Sequence, residues 1–239
     1  IVKGAQGDPF CEPLEKTPED VFGRVRGKSC VTASNVAKYD GFHGIVVFRE
    51  HDPLRITEEG VADSLDVALE WARKANQADK ECRNFFLMWN CLCRSGASII
   101  HGHMQMTLGR GMHYAKIEAL RRASKLYQLA HGTNYFDDLW RVHSFLGLGL
   151  EVDGARVIAY LVPIKEKEVM VLSNALDKGF KKGLYEVLKC FVSRMGVESF
   201  NVAIITPPIG TADGDQDWSG FPAIARVVDR GRWGTGHAT

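Results

Sequence analysis

The stretch richest in chemistry is N-C-L-C-R-S-G-A-S-I-I-H-G-H-M-Q-M, Asn90 to Met106. His101, His103 and Gln105 stand at i, i+2 and i+4, so on a strand of period two they project from one face. Their alternates Gly102, Met104 and Met106 are small or apolar and suit a core. Imidazole can serve as nucleophile, base or metal ligand near neutral pH, and an amide can hold an oxyanion. Two imidazoles and an amide are costly to bury without partners. Just upstream, Ser95-Gly96-Ala97-Ser98 reads as a tight loop whose backbone N–H groups and hydroxyl can cradle phosphate oxygens. A polar strand face turned to solvent is the plain alternative. Two histidines with Gln105 behind a Gly/Ser turn, and Asn90 ahead of it, favour a functional site.

Other patterns fall away. G-L-G-L-E-V-D-G (Gly147 to Gly154) has no helix after it, so it is not a dinucleotide fingerprint. Asp213, Asp215 and Asp217 have calcium-loop spacing, but Trp218 takes the place of the required glycine and Ile224 that of the closing glutamate. They read as a solvated loop. Lys+Arg 30 against Asp+Glu 29 leaves a net charge of +1 in 239 residues, which gives no electrostatic case for nucleic acid or an anionic membrane. No apolar run approaches the roughly 18 residues of a spanning helix, and the opening I-V-K-G-A-Q-G does not read as a signal peptide. Six scattered cysteines are poor disulfide spacing and favour a reducing, cytoplasmic setting.

The elements that must position the site follow from periodicity. The stretch from Val31 to His51 reads as two strands, the second over Gly44 to Phe48. Val61, Leu65, Ala68, Leu69 and Ala72 stripe a helix. Phe85 to Cys93 and Ile99 to Leu108 read as strands. The helix over Ala115 to Ala130 turns Ile117, Leu120 and Leu126 inward and Lys116, Arg121, Arg122 and Lys125 outward. Ser144 to Glu151 and Arg156 to Pro163 read as strands paired around Asp153-Gly154, and Val169 to Leu172 as another. Phe180, Leu184, Val187, Leu188, Phe191 and Met195 stripe a helix, and Asn201 to Thr206 and Ile224 to Val228 are strands. The same order thus occurs over 31–108 and 144–229. The expected class is α+β: two related half-barrel units sharing an antiparallel sheet with packed helices. An N-terminal segment covers 1–30, a catalytic half 31–135, and a second half without the motif 136–239.

Here the chain resembles the histidine-triad superfamily, in the branch of galactose-1-phosphate uridylyltransferase and the dinucleotide phosphorylases. That branch carries N-x-G-x-x-x-G-x-S-x-x-H-x-H-x-Q, matched by Asn90, Gly96, Ser98, His101, His103 and Gln105. The first glycine is Leu92 here. D-P-F-C-E-P-L-E-K-T-P resembles the branch's C-P-F-C opening, and S-N-V-A-K-Y…F-H-G-I-V-V-F-R-E-H its nucleotide-binding hairpin. Trp218 to Arg226 lacks the histidines of a second motif.

The resemblance implies double displacement. His103 would attack the α-phosphorus of a nucleoside diphosphate compound, and a phosphate or sugar-phosphate acceptor would then take the nucleotide. Gln105, Ser98 and the amides near Gly96 would hold nonbridging oxygens, His101 would join the catalytic set beside the nucleophile, and Asn90 would bind nucleotide or phosphate ahead of the loop. Asn35 would contact the nucleotide. A backbone carbonyl near Ala97 would fix the tautomer of His103. Gln105, where hydrolase branches carry a third histidine, leans toward transfer. A hydrolase on the same scaffold and a non-catalytic nucleotide-binding module are the rival readings. The resemblance also implies one structural zinc on Asp8, Cys11, His51 and His101, no organic cofactor, and a homodimer.

Overall fold

Strand pairing organises the whole chain. The computed structural model describes residues 7–210 and 216–232. In chain order its elements are α1 (Pro13–Lys16), β1 (Cys30–Ser34), β2 (Phe42–Phe48), α2 (Glu58–Ala78), β3 (Cys82–Cys91), β4 (His103–Arg110), α3 (Ala115–His131) and α4 (Tyr135–Phe145), then β5 (Gly149–Val152), β6 (Ala155–Ala159), β7 (Val169–Ser173), α5 (Lys178–Lys189), β8 (Phe200–Ile205) and β9 (Ala223–Asp229). The fold is α+β. One nine-stranded sheet runs β1-β2-β4-β3-β8-β9-β7-β6-β5, and every pairing is antiparallel. A hairpin, a helix and two strands occur twice, in mirrored order about the β3–β8 seam.

One face of the sheet carries α2 and α5. The Thr57 hydroxyl accepts the Gly60 N–H at 3.0 Å and starts α2. Glu58 and Glu59 suit its positive end. Val61, Leu65, Ala68, Trp71, Ala72 and Ala75 then bury one stripe, which joins Phe85, Leu87, Trp89, Met104 and Met106 in the main core. On the other face α3 and α4 cover Ile158, Met170, Leu172, Ile205 and Ile224. Phe10 packs there too, over Val31, Ala33, Ile45 and Val47 at the opposite side. Between these covers a strip stays half-buried: Gln105, Met88, Asn90, Asn201, Ala203, Arg226 and Val228. Gln105 pairs Met88, Met88 pairs Ala203, and Ala203 pairs Arg226. That transverse row is about 14 Å long at ordinary strand spacing.

Four expectations change. The strand expected from Ile99 begins only at His103. The Gly102 N–H donates to the His51 carbonyl at 3.2 Å and its carbonyl accepts the Phe48 N–H at 3.0 Å. A Cβ on Gly102 would meet the Phe48 ring at 2.5 Å, so this close approach requires glycine. Ser144, expected in a strand, lies in the last turn of α4, a helix the periodicity did not suggest. Its signal lies in Asn134, whose Oδ1 accepts the Phe136 and Asp137 N–H groups. Leu126, expected inward, is 66 % exposed. Of the four basic residues expected outward on α3, Arg121 caps the buried Glu118 and Lys125 reaches Asp217 and Ser219. These contacts tie α3 to the segment before β9. Asp213 and Asp215 lie outside the described residues. Among the described residues no helix is long and apolar enough to cross a membrane, and the six cysteines are free thiols.

Candidate active site

His103 opens β4 on the face that Phe10 covers. Its ring is buried and meets Phe10 edge-on at 5.0 Å. Nδ1 lies 2.8 Å from the His101 carbonyl oxygen. A carbonyl only accepts, so Nδ1 carries the proton and Nε2 keeps its lone pair. Burial pushes the pKa below the ordinary imidazole value, and the His101 carbonyl opposes it more weakly. The ring is therefore neutral near pH 7 and presents a fixed nucleophilic nitrogen. The carbonyl that sets its tautomer belongs to His101, not to the loop near Ala97.

The sequence pattern placed His101 and His103 on one strand face, but His101 precedes β4 and points elsewhere. Its Nε2 donates to the Phe48 carbonyl at 2.7 Å, which leaves the Nδ1 lone pair aimed at a cluster. His51 Nδ1 lies 3.1 Å from it, Cys11 Sγ 3.6 Å and Asp8 Oδ1 3.6 Å. Cys11 Sγ is also 3.6 Å from His51 Nδ1. Donor atoms of all four residues fall within 4.8 Å of one another. Tetrahedral zinc with bonds of about 2.0–2.3 Å sets its ligand atoms about 3.3–3.6 Å apart. The donor set and its spacing fit that ion. The buried Oδ2 of Asp8 has no partner among the described residues, and the Phe48 carbonyl is the outer partner that orients a ligating imidazole.

Gln105 is half-buried two residues beyond His103, on the same face. Its Oε1 lies 3.2 Å from His43 Nε2, and that nitrogen is 2.9 Å from Asn35 Nδ2. Asn35 is turned by an Asx contact, its Oδ1 accepting the Ala37 N–H at 2.9 Å. Asn35 and Gln105 were expected at the site from the sequence; the ring between them was not. The signal was present: β2 alternates, so His43 shares a face with Ile45 and Val47, opposite Thr107 of β4.

Asn90, expected among the nucleotide- and phosphate-binding residues, is tied through Asn201 to the loop that follows β3. Asn201 Nδ2 donates to Asn90 Oδ1 at 2.6 Å and to the Ser95 carbonyl at 2.9 Å. The Ser95 hydroxyl closes the turn on the Leu92 carbonyl at 2.6 Å. Asn201 comes from the second half, and nothing in the motif pointed to it. Gly96 has a φ of 92° and Ser98 is exposed, both in the loop between β3 and His103. Leu92, standing where the resembled motif has glycine, takes φ 65° and ψ 175°. Almost only glycine adopts that conformation. The loop keeps the path a glycine would give it, at the cost of strain.

The sequence matches no protein-family model and no curated protein. Solved structures match the fold. An ADP-glucose phosphorylase from Arabidopsis thaliana with bound ADP-glucose superposes with a TM-score of 0.72 at 16% identity, over 94% of this chain and 80% of that one. A GalT-like protein from Arabidopsis thaliana gives 0.71 at 17% identity, over 94% and 82%. A uridylyltransferase gives 0.70 at 15% identity, over 89% and 76%. The chain therefore has the fold of these phosphorylase and uridylyltransferase structures.

Proposed function

We propose that this chain is a nucleotidyltransferase that passes a nucleotide from a nucleoside diphosphate sugar or a dinucleotide to a phosphate or sugar-phosphate acceptor, through a nucleotidyl-His103 intermediate. The observation that carries this reading is the Nδ1–H contact of His103 to the His101 carbonyl, which leaves Nε2 as a buried, neutral nucleophile.

Nε2 attacks the α-phosphorus and forms the N–P bond. The bond from phosphorus to the bridging oxygen breaks, and the leaving phosphate keeps its electron pair. The imidazolium proton stays on Nδ1, shared with the His101 carbonyl. In the second step an acceptor phosphate oxygen attacks, the N–P bond breaks and the ring returns to neutral. The leaving group is already an acidic phosphate, so no strong general acid is required. Gln105 is neutral and suits this chemistry: it donates to a nonbridging oxygen without supplying a proton. The loop through Gly96 and Ser98 supplies further donors, and Asn35 holds the nucleoside side. Asp8, Cys11, His51 and His101 would hold zinc, which when bound ties the N-terminal segment to the residue whose carbonyl orients His103.

Intact-protein mass spectrometry after incubation with ADP-glucose, UDP-glucose or diadenosine polyphosphates tests this. One nucleotidyl group per chain is expected with one of these donors, stable in base, labile in acid and absent from His103→Ala. No adduct with any donor, under conditions where nucleotide binds, speaks for a binding module. Isotopic oxygen entering the nucleotide from water with no acceptor present speaks for a hydrolase.

A further inference from the structure

His43 is 1% exposed and sits diagonally across β2 and β4 from Gln105. Two side-chain amides converge on its Nε2: Asn35 Nδ2 at 2.9 Å and Gln105 Oε1 at 3.2 Å. An imidazole nitrogen offers one in-plane position, holding either a proton to donate or a lone pair to accept. One partner here is a donor and the other an acceptor, so the ring cannot serve both in one state. With the lone pair on Nε2, Asn35 is held. With the proton on Nε2, Gln105 is held by its oxygen and its NH2 is left free to donate.

Asn35 is already anchored by the Ala37 N–H, so the orientation of its amide does not depend on His43. Among the described residues no second partner holds the amide oxygen of Gln105, and the ring is what fixes it. Burial keeps His43 neutral, so the two arrangements are tautomers rather than charge states. Nδ1 is buried without a hydrogen-bond partner among the described residues. A proton on Nε2 leaves an unused lone pair there, whereas a proton on Nδ1 leaves an unused N–H, the costlier orphan. Tyr39, edge-on at 4.4 Å, closes the site over the ring.

We infer that His43 is a positioning residue for nucleotidyl transfer: the proton on its Nε2 holds the oxygen of Gln105 and turns the Gln105 NH2 toward the phosphate, and Asn35 competes for the same nitrogen. A nucleotide that takes the Asn35 amide thereby releases His43 to hold Gln105, so the nucleoside contact and the phosphate donor are coupled through one ring. This inference rests on the reading above, in which Gln105 donates to a nonbridging oxygen.

Its first test needs no activity. In protein labelled with [15N]histidine, long-range 1H–15N spectra report which nitrogen of His43 carries the proton, with the signal assigned by its loss in His43→Gln. Asn35→Ala should raise the Nε2–H fraction and Gln105→Ala should lower it. A tautomer ratio that Gln105→Ala leaves unmoved, or that both variants move the same way, overturns the coupling. The second test is kinetic. His43→Phe, which keeps a ring but no N–H, should lower kcat about tenfold to a hundredfold with KM within about twofold. His43→Gln, whose Nε2 can replace the ring's donor, should recover most of that loss. In a Gln105→Ala background His43→Phe should cost nothing further. Losses that multiply overturn the proposal. If the parent chain forms no nucleotidyl adduct, the functional reading fails, while the tautomer measurement still decides the geometry.

Discussion

The Nδ1 atoms of His51 and His101 face each other at 3.1 Å, while Nε2 of His101 is committed to the Phe48 carbonyl. Without an ion the approach requires a proton on His51 Nδ1, donated to the lone pair of His101, and Cys11 and Asp8 reach the same point. We propose that zinc, held by all four residues, takes the place of that proton. Protein purified without a polyhistidine tag should carry about one equivalent, and chelation should lower the melting temperature. An ion at a thousandfold excess over its dissociation constant adds about 4 kcal/mol. Less than about a tenth of an equivalent, with no gain in melting temperature on adding zinc, would falsify the site.

Gln105→Ala should lower kcat by roughly 10²–10³, the usual effect of removing one preorganised donor, and change KM little. Steady-state kinetics with the donor found by mass spectrometry separate the two constants. A loss confined to KM would make Gln105 a ground-state contact.

Glu118 is buried and accepts from both Arg121 and Arg122, and the Arg121 contact leads in lowering its carboxyl to about 2. Its folded pKa lies below the unfolded one, so its contribution is complete above about pH 4.5 and is lost as the pH falls toward 2. Glu118→Gln should therefore cost on the order of 1–3 kcal/mol at pH 7. The gap to the parent should close between about pH 4.5 and 2 in denaturant titrations. A gap independent of pH would mean that packing, not charge, sets the cost.

Leu92 offers a test of backbone strain. At an ordinary site glycine is less stable than alanine by roughly 0.5–1 kcal/mol. At φ 65° and ψ 175° the order should invert, because alanine keeps the strain, worth about 1–3 kcal/mol, and glycine relieves it. Both variants give up the buried leucine side chain. Thermal melts of Leu92→Ala and Leu92→Gly should rank glycine higher, and the ordinary ranking would count against the strain.

Much of this was legible in the chain itself. β2, α2, β8 and β9 follow from alternation and from apolar stripes, because each buries one face and the side-chain period reports that face. The H-x-H-x-Q spacing likewise placed His103 and Gln105 on one side of a strand. Asp8, Cys11, His51 and His101 were linked only through resemblance, since no local period connects residues so far apart. Periodicity could not show where β4 begins. That depends on the Phe48 carbonyl claiming His101 and on the Phe48 ring leaving room only for Gly102. Nor could it show that Asn90 is held by Asn201 across the β3–β8 seam, or that His43 stands between Asn35 and Gln105. The sequence determined which groups exist and which strand face carries them. Which nitrogen is free, which amide is turned and which carbonyl sets a tautomer were decided by long-range contacts, because a hydrogen bond is chosen by the partner that folding brings within 3 Å or so, and the chain's local pattern holds no record of that partner.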